Sequence, residues 1–261
     1  MDLHLSGKVA VVTGASKGIG LAVTQALAAE GVYVAAGARH ISPELAELAA
    51  GDRVRPVEVD LTTPSGPAEL IRAAVAFGGL DILVNNVGAV RPRTGGFLSV
   101  TDDDWTSTLA INFLTAVRVT REALPYLLER GTGTIVTVTS VNASLPDPLV
   151  IDYSAAKAAL ASFSKSLSKE VGPRGIRVNT VSPGPVATEL WLGPDGVAAT
   201  LAHAGDTAQE AVVTQAAGDS VTGRFTLPGE VADLVLLLAG DRAGNVTGAD
   251  FVIDGGMTRS L

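Results

Sequence analysis

A tyrosine and a lysine lie one helical turn apart in this sequence, and their spacing points to acid–base chemistry. Tyr153 and Lys157 belong to the segment DYSAAKAALASF, and Ser140 ends an apolar run thirteen residues before the tyrosine. Residues i and i+4 share one face of a helix, so we expect the lysine ammonium beside the phenol. A free tyrosine has a pKa of about 10, and a neighbouring cation lowers it. We therefore predict that Tyr153 exchanges protons with a bound molecule.

A glycine-rich turn near the start of the chain predicts a dinucleotide site. The turn TGASKGIG follows the apolar run KVAVVT and precedes a predicted helix over 19–30. Gly14 can leave the strand with positive φ, while Gly18 and Gly20 let the backbone approach a pyrophosphate and the helix pack on the sheet. The N-terminal N–H groups of the helix would then face the phosphates.

The same turn also matches the GxSxG pattern of a hydrolase nucleophile, with Ser16 between Gly14 and Gly18. A nucleophilic serine needs a histidine base close to it, but His203 belongs to an irregular stretch of the sequence. Moreover, only one short strand precedes the turn. We therefore reject the hydrolase interpretation.

The second predicted strand ends in residues that favour NADP over NAD. An NAD enzyme normally has a carboxylate about twenty residues beyond the glycines, to bind the ribose 2′-hydroxyl. This chain has GARH at that point, and no acid lies between Arg39 and Glu44. Arg39 can pair with a 2′-phosphate, and Lys17 can add a second positive charge. If Arg39 is only a solvated surface charge, the cofactor preference stays open.

Short β-branched runs alternate with segments of helical period along the chain, which is typical of parallel strands joined by crossover helices. We predict an α/β, Rossmann-like, doubly wound parallel sheet of about seven strands in three layers. The 261 residues should form a single dinucleotide-binding domain, with a helical substrate lid at about 189–228. The predicted strands are 8–13, 32–37, 54–59, 81–84, 133–140, 175–181 and 249–253.

Composition excludes several classes of function. The net charge of −8, without a Lys/Arg cluster, argues against nucleic-acid binding. The chain has no cysteine, and its three histidines lack ligand spacing, so we expect no metal site. No stretch approaches the roughly 18 apolar residues that span a bilayer, and the N-terminus lacks a basic start. We expect a cytoplasmic protein that binds no membrane.

These motifs together resemble the short-chain dehydrogenase/reductase family over essentially the whole chain. TGASKGIG is similar to the family's cofactor turn, and NNVG at 85–88 to its motif after the fourth strand, with Val87 in place of the commonest alanine. The segment IRVNTVSPGPVAT at 176–188 resembles the strand and turn beside the nicotinamide. The family's catalytic residues correspond to Asn112, Ser140, Tyr153 and Lys157.

The resemblance also extends the predicted cofactor site. It implies that Asp60 and Leu61 border the adenine, that Asn86 and Gly88 border the adjoining ribose, and that the 183–188 turn flanks the nicotinamide. The full set of predicted cofactor contacts is Gly14, Ser16, Lys17, Gly18, Ile19, Gly20, Arg39, Asp60, Leu61, Asn86, Gly88, Tyr153, Lys157, Pro183, Gly184, Val186 and Thr188.

The reaction implied is hydride transfer between NADP(H) and a carbonyl or secondary alcohol. By resemblance, Tyr153 is the general acid/base, Ser140 orients the substrate oxygen, Lys157 holds the ribose hydroxyls, and Asn112 anchors a water in a proton relay. We expect a partly apolar substrate pocket between the lid and the stretches 91–97 and 141–150. These residues do not identify the substrate.

Family resemblance further implies a homotetramer that assembles through the tyrosine helix. Two other functions are open on the same fold. A non-catalytic nucleotide sensor would not need the tyrosine and lysine. A sugar epimerase or dehydratase would normally have a larger C-terminal substrate domain, whereas only about seventy residues follow Thr188 here.

Overall fold

A computed structural model describes residues 1–259 and contains one sheet of seven parallel strands, in the order β3-β2-β1-β4-β5-β6-β7. Each predicted strand is present, with both bounds within two residues of those expected. The strands are β1 (Val9–Thr13), β2 (Tyr33–Ala38), β3 (Val54–Glu58), β4 (Ile82–Asn85), β5 (Gly133–Val138), β6 (Ile176–Pro183) and β7 (Asp250–Ile253).

Helices connect the strands, and the first of them lies one residue from its predicted position. The helices are α1 (Gly18–Ala29), α2 (Pro43–Leu48), α3 (Gly66–Val75), α4 (Asp102–Leu109), α5 (Thr115–Arg130), α6 (Ile151–Val171), α7 (Glu189–Leu192), α8 (Val197–Ala204), α9 (Gln209–Gly218) and α10 (Pro228–Ala239).

Both faces of the sheet are buried, and β1 illustrates how its sequence achieves this. Side chains alternate between the faces of a strand, and all five residues of β1 are buried. Ala10 and Val12 pack in the core that contains α1 and α10, whereas Val9 and Val11 pack in the core of α3, α5 and α6. A continuous apolar run therefore suits this strand. The predicted three-layer, doubly wound α/β fold is confirmed.

The segment between β6 and α10 contains the three short helices α7, α8 and α9. The two ends of this segment are joined to each other by a parallel bridge between Val186 and Thr226, and the ring of Trp191 packs edge to face on Phe225 at 5.3 Å. The predicted helical content of 189–228 is therefore present. No helix within residues 1–259 is both long and apolar enough to cross a membrane.

The order of the strands decides where a site can form. The chain moves outward from β1 through β2 to β3 and then returns to β4 on the other side of β1. The loops that follow β1 and β4 therefore diverge and leave a crevice at the carboxyl ends of these strands. In doubly wound sheets, ligands bind at this point.

Candidate active site

The glycine turn after β1 has the backbone that its sequence predicts. Gly14 has a φ of +67° and Gly18 a φ of +55°. Residues that carry a side chain rarely adopt these backbone angles. A Cβ atom at Gly20 would lie 2.1 Å from the carbonyl oxygen of Gly14. Glycine at position 20 therefore lets the start of α1 pack directly on the glycine-rich loop after β1.

Thr13 and Asn86 join the carboxyl ends of β1 and β4. The Thr13 hydroxyl accepts hydrogen bonds from the backbone N–H of Asn86 at 2.8 Å and of Val87 at 3.1 Å. The Asn86 amide donates in return to the Thr13 carbonyl at 3.0 Å. These bonds fix the positions of the two loops relative to each other at the crevice. Thr13 was missed in the sequence because a threonine at a strand end has no distinctive signal.

Lys157 lies at the floor of the crevice, almost completely buried. Its Nζ donates to the carbonyl of Val138 at 3.0 Å. A Cβ atom at Gly88 would lie 3.4 Å from this Nζ, so the absence of a side chain at position 88 leaves the ammonium accessible from the crevice. Burial lowers the pKa of Lys157 to about 8, because removing an ammonium from water disfavours its charge.

Tyr153 lies beside Lys157 and Ser140, as the sequence predicts, but its acidity differs from the expectation. Burial raises the pKa of Tyr153 to about 12, and a hydrogen bond with the Ser140 side chain opposes that rise. The Lys157 Nζ is 5.6 Å from the centre of the Tyr153 ring and is itself desolvated. The prediction of a lowered tyrosine pKa is therefore wrong for the chain alone, because desolvation outweighs the hydrogen bond with Ser140.

Asn112 lies in a single π-helical turn, Ala110–Leu114, between α4 and α5. Its side chain bonds to both backbone groups of Ala89, accepting from the N–H at 3.0 Å and donating to the carbonyl at 2.9 Å. The amide thus fixes the loop that holds Gly88 against Lys157. The predicted role of Asn112 in anchoring a water remains a prediction.

A cavity of about 1440 Å³ brings most of the predicted site residues together. Two predicted residues do not line it, since Gly20 packs against the glycine turn and Asn112 against Ala89. The predicted residues that line the cavity are Gly14, Ser16, Lys17, Gly18, Ile19, Arg39, Asp60, Leu61, Asn86, Gly88, Ser140, Tyr153, Lys157, Pro183, Gly184, Val186 and Thr188.

The two cations predicted for a 2′-phosphate have different surroundings. Arg39 is exposed at the end of β2 and lines the cavity. It lies near Asp60, whose pKa is lowered mainly by hydrogen bonds from Thr62 and to a smaller extent by Arg39. Lys17 instead forms an ion pair with Glu189 of α7, with Nζ 2.9 Å from Oε2. Arg39 is therefore the better placed of the two cations for a phosphate.

The pocket walls partly match the predicted ones. The cavity is lined by most of the stretch 141–150, namely by residues 141, 142 and 145–150. Of residues 91–97, only Pro92 lines it. From the lid, Trp191 and Leu201 are part of the lining. Met257 and Arg259 also line it and were missed, because nothing in a short C-terminal stretch indicates where it folds.

A buried ion pair immediately precedes Tyr153 and was also missed. The Asp152 carboxylate accepts from Arg93 Nε at 3.1 Å, from the Thr108 hydroxyl at 2.8 Å and from the Tyr153 backbone N–H at 3.0 Å. Arg93 also pairs with Asp104 at 2.9 Å. Hydrogen bonds from these groups lower the pKa of Asp152 despite its burial, which acts in the opposite direction. The pair connects α6 to α4 and to the loop after β4.

Comparisons with known proteins agree with this arrangement. The family model described as enoyl-(acyl carrier protein) reductase matches residues 14–258. A D-threitol dehydrogenase from Mycolicibacterium smegmatis is 37% identical over 98% of this chain and 95% of its own length. The 3-oxoacyl-(acyl-carrier-protein) reductase FabG of Vibrio cholerae is 33% identical over 98% of this chain and 99% of its own.

A solved structure matches the whole fold. The L-sorbose reductase of Gluconobacter frateurii, crystallised with NADPH and L-sorbose, superimposes with a TM-score of 0.91. It is 34% identical in sequence, and the match covers 100% of both chains.

Proposed function

Because this chain belongs to the short-chain dehydrogenase/reductase family, we propose that it transfers a hydride between NADP(H) and a carbonyl or secondary alcohol group of a small molecule. One observation carries the proposal: the Tyr153 phenol, the Ser140 hydroxyl and the buried Lys157 ammonium line the same cavity as the glycine turn. Acid–base groups and a phosphate-binding backbone thus share one crevice.

The residues present fit a nicotinamide dinucleotide. The turn at Gly14 and Gly18 exposes backbone at the N-terminus of α1, where N–H groups and the helix dipole favour phosphate. Gly88 leaves open the space next to Lys157. When bound, the cofactor supplies or accepts the hydride. Arg39 supports NADP, and the NADPH in the L-sorbose reductase structure agrees with that choice.

Tyr153 has the properties of a proton donor for carbonyl reduction. With a pKa raised to about 12, its phenol stays protonated at neutral pH. In our proposal it gives its proton to the substrate oxygen as the carbonyl carbon is reduced, and takes a proton back in the reverse direction. Ser140 hydrogen-bonds the same oxygen and fixes its position.

Lys157 and Asn112 support this chemistry from the floor of the crevice. With a pKa of about 8, Lys157 is mostly charged at neutral pH, and its position beside Gly88 suits a contact with ribose hydroxyls. Asn112 holds the Ala89 backbone, and we propose that it also anchors a water that returns protons to Tyr153. The other predicted residues that line the cavity form the walls of the proposed dinucleotide site.

We also propose that residues 1–261 act as one catalytic domain in which 189–228 is a substrate lid, that the chain forms a homotetramer, and that it works in the cytoplasm. The ion pair between Lys17 and Glu189 supports the lid, since it joins α7 to the glycine turn and both residues line the cavity. The tetramer and the location rest on family resemblance.

The test follows nicotinamide absorbance with the purified protein. NADPH or NADH is supplied with L-sorbose, a 3-oxoacyl thioester and simple ketones, and NADP⁺ or NAD⁺ with D-threitol and simple secondary alcohols. Tyr153→Phe should retain dinucleotide affinity but lose about 10²- to 10⁴-fold in turnover, the usual contribution of a general acid. Tyr126→Phe on α5 is the matched control and should keep wild-type turnover. Undiminished turnover in Tyr153→Phe would contradict the proposal. Tight NADPH binding without turnover of any substrate would favour the nucleotide sensor.

A further inference from the structure

The turn that follows Ser140 presents apolar side chains to the cavity. Val141 comes directly after Ser140, is buried and lines the cavity. The backbone N–H of Leu145 donates to the Val141 carbonyl at 2.8 Å, which brings Leu145 back to the same part of the wall. Leu145 also lines the cavity and is 46% exposed. The wall that continues from Ser140 is therefore apolar and partly uncovered.

A second apolar stretch precedes the tyrosine helix. Leu149 belongs to the short 3₁₀ helix Pro148–Val150, four residues before Tyr153. It lines the cavity and is 41% exposed. The backbone N–H of Arg93 donates to the Leu149 carbonyl at 2.6 Å, which attaches the loop after β4 to this short helix. Pro92 of that loop lines the cavity as well, so two loops contribute apolar surface here.

The lid adds apolar side chains from a third part of the chain. Leu190 and Trp191 of α7 and Leu201 of α8 line the cavity. Packing on Phe225 holds the Trp191 ring, and Leu190 is 38% exposed. Three separate stretches thus surround the acid–base group with hydrocarbon that is open to a ligand.

The polar side chains among these stretches already serve the wall itself. The Asn142 amide donates to the Leu145 carbonyl at 3.2 Å, and its oxygen lies 3.2 Å from the Ser140 hydroxyl. The Asp147 carboxylate accepts from the Leu149 N–H at 2.8 Å. A ligand hydroxyl would have to share or replace these bonds.

Three charged residues complete the polar part of the lining. Glu189 is paired with Lys17, whereas Asp219 and Arg259 are exposed to solvent. A ligand hydroxyl that bonded either of the exposed groups would exchange one hydrated contact for another, so its net gain is small.

A ligand gains most from this wall when it covers the exposed leucines, because hydrophobic stabilisation grows with the apolar area removed from water. A polyol or sugar would instead bury hydroxyls against hydrocarbon, and each unpaired hydroxyl costs affinity. We propose that the substrate is a ketone or secondary alcohol with a hydrocarbon substituent that packs on Leu145, Leu149 and Leu190. The inference rests on the proposed function and names its substrate class. It sets this chain apart from the relatives named for D-threitol and L-sorbose, which are rich in hydroxyls.

The test compares the reduction of methyl ketones of increasing length, from 2-butanone to 2-octanone, with the reduction of L-sorbose. Each carbonyl carbon takes a hydride from NADPH and each oxygen takes a proton from Tyr153, so the products are a secondary alcohol and NADP⁺. The value of kcat/KM should rise about fourfold for each added methylene, because each buried CH₂ adds a similar increment of transfer free energy. For L-sorbose it should be at least about 10²-fold lower than for 2-octanone.

Two substitutions place an amide where the hydrocarbon substituent is proposed to lie. Leu149→Asn and Leu190→Asn should each lower kcat/KM for 2-octanone by about 10-fold and change that for 2-butanone by less than about twofold. The two residues belong to different elements, so either variant provides a reading if the other folds poorly. Leu237→Asn on α10 is the matched control, since Leu237 is 37% exposed but does not line the cavity. It should leave both values unchanged.

A binding measurement tests the inference without turnover. Trp191 lines the cavity, and Trp105 is the other tryptophan of the chain, so Trp105→Phe leaves Trp191 as the sole tryptophan reporter. The variant is titrated with the same methyl ketones, with and without NADP⁺, because a ketone and an oxidised cofactor cannot react with each other. The affinity read from Trp191 fluorescence should rise about fourfold for each methylene.

A flat or falling dependence of kcat/KM on chain length, or a preference for L-sorbose, overturns the inference and leaves the proposed function standing. A flattened dependence in Leu237→Asn equal to that in Leu149→Asn and Leu190→Asn also overturns it. Absence of turnover with every ketone, ketose and alcohol contradicts the proposed function instead. The fluorescence titration then decides the inference, which a rising affinity supports and a flat one overturns.

Discussion

At the scale of single residues, burial moves the pKa values of the tyrosine and the lysine in opposite directions. Both groups lose water, and desolvation always disfavours the charged form. The pKa of Tyr153 therefore rises to about 12 and that of Lys157 falls to about 8. Tyr153 is then a neutral proton donor, and the Lys157 ammonium beside it loses its proton more readily than a free lysine does. A neutral phenol suits protonation of a substrate oxygen near neutral pH.

Arg39 offers a residue-scale test of cofactor choice. Arg39→Ala should weaken NADPH binding by about 10- to 100-fold, because a charge-assisted pair with a phosphate is lost, and should leave NADH affinity nearly unchanged. Equilibrium titration by nicotinamide fluorescence measures both. Lys17→Ala is the comparison, and we expect a smaller effect because Lys17 is paired with Glu189. Equal weakening of NADPH and NADH in Arg39→Ala would contradict the assignment.

At the scale of elements, the start of α6 depends on the buried Arg93–Asp152 pair. Asp152→Ala removes the carboxylate that joins α6 to α4, and Arg93 then keeps only its pair with Asp104, so the free energy of unfolding should fall by about 1–3 kcal/mol. Urea unfolding measures the loss. Asp103→Ala, an exposed change on α4, should alter stability by less than about 0.5 kcal/mol. A similar loss in both variants would contradict the role of the pair.

The same pair has a pH signature. Because the folded-state pKa of Asp152 lies below its ordinary value of 3.8, the unfolded chain binds the proton more readily. The stabilisation is therefore complete above that ordinary value and is lost as the pH falls through the lower, folded-state pKa. Between wild type and Asp152→Ala, the difference in unfolding free energy should shrink over this acidic range.

At the scale of the whole molecule, family resemblance predicts that four chains associate through α6. Ala155, Ser162 and Ser166 are small, exposed residues of this helix, so a second helix can approach them closely. Solution scattering should give four times the chain mass of 26.5 kDa. Ser162→Arg should reduce that mass because a long charged side chain blocks close approach, whereas Glu47→Arg on α2 should not. A monomeric wild-type mass would refute the prediction.

Much of the fold and of the site could be predicted because the relevant signals are local. Short β-branched runs that alternate with segments of helical period identified all seven strands. Several of these runs are continuously apolar, because a strand covered on both faces has no polar side. The glycine turn was recognisable because glycine adopts a φ such as the +67° at Gly14 far more readily than other residues do. The spacing of Tyr153 and Lys157 placed them together because a helix of 3.6 residues per turn aligns positions four apart.

The tertiary structure alone decided the remaining features, since they depend on which distant groups meet and how much water they lose. The sequence could place a lysine beside a tyrosine, but it could not reveal that burial raises the pKa of the phenol instead of lowering it. Nor could it reveal that Lys17 pairs with Glu189, 172 positions away. Local chemistry indicated which residues could exchange protons, and desolvation in the folded chain set the direction in which their pKa values move.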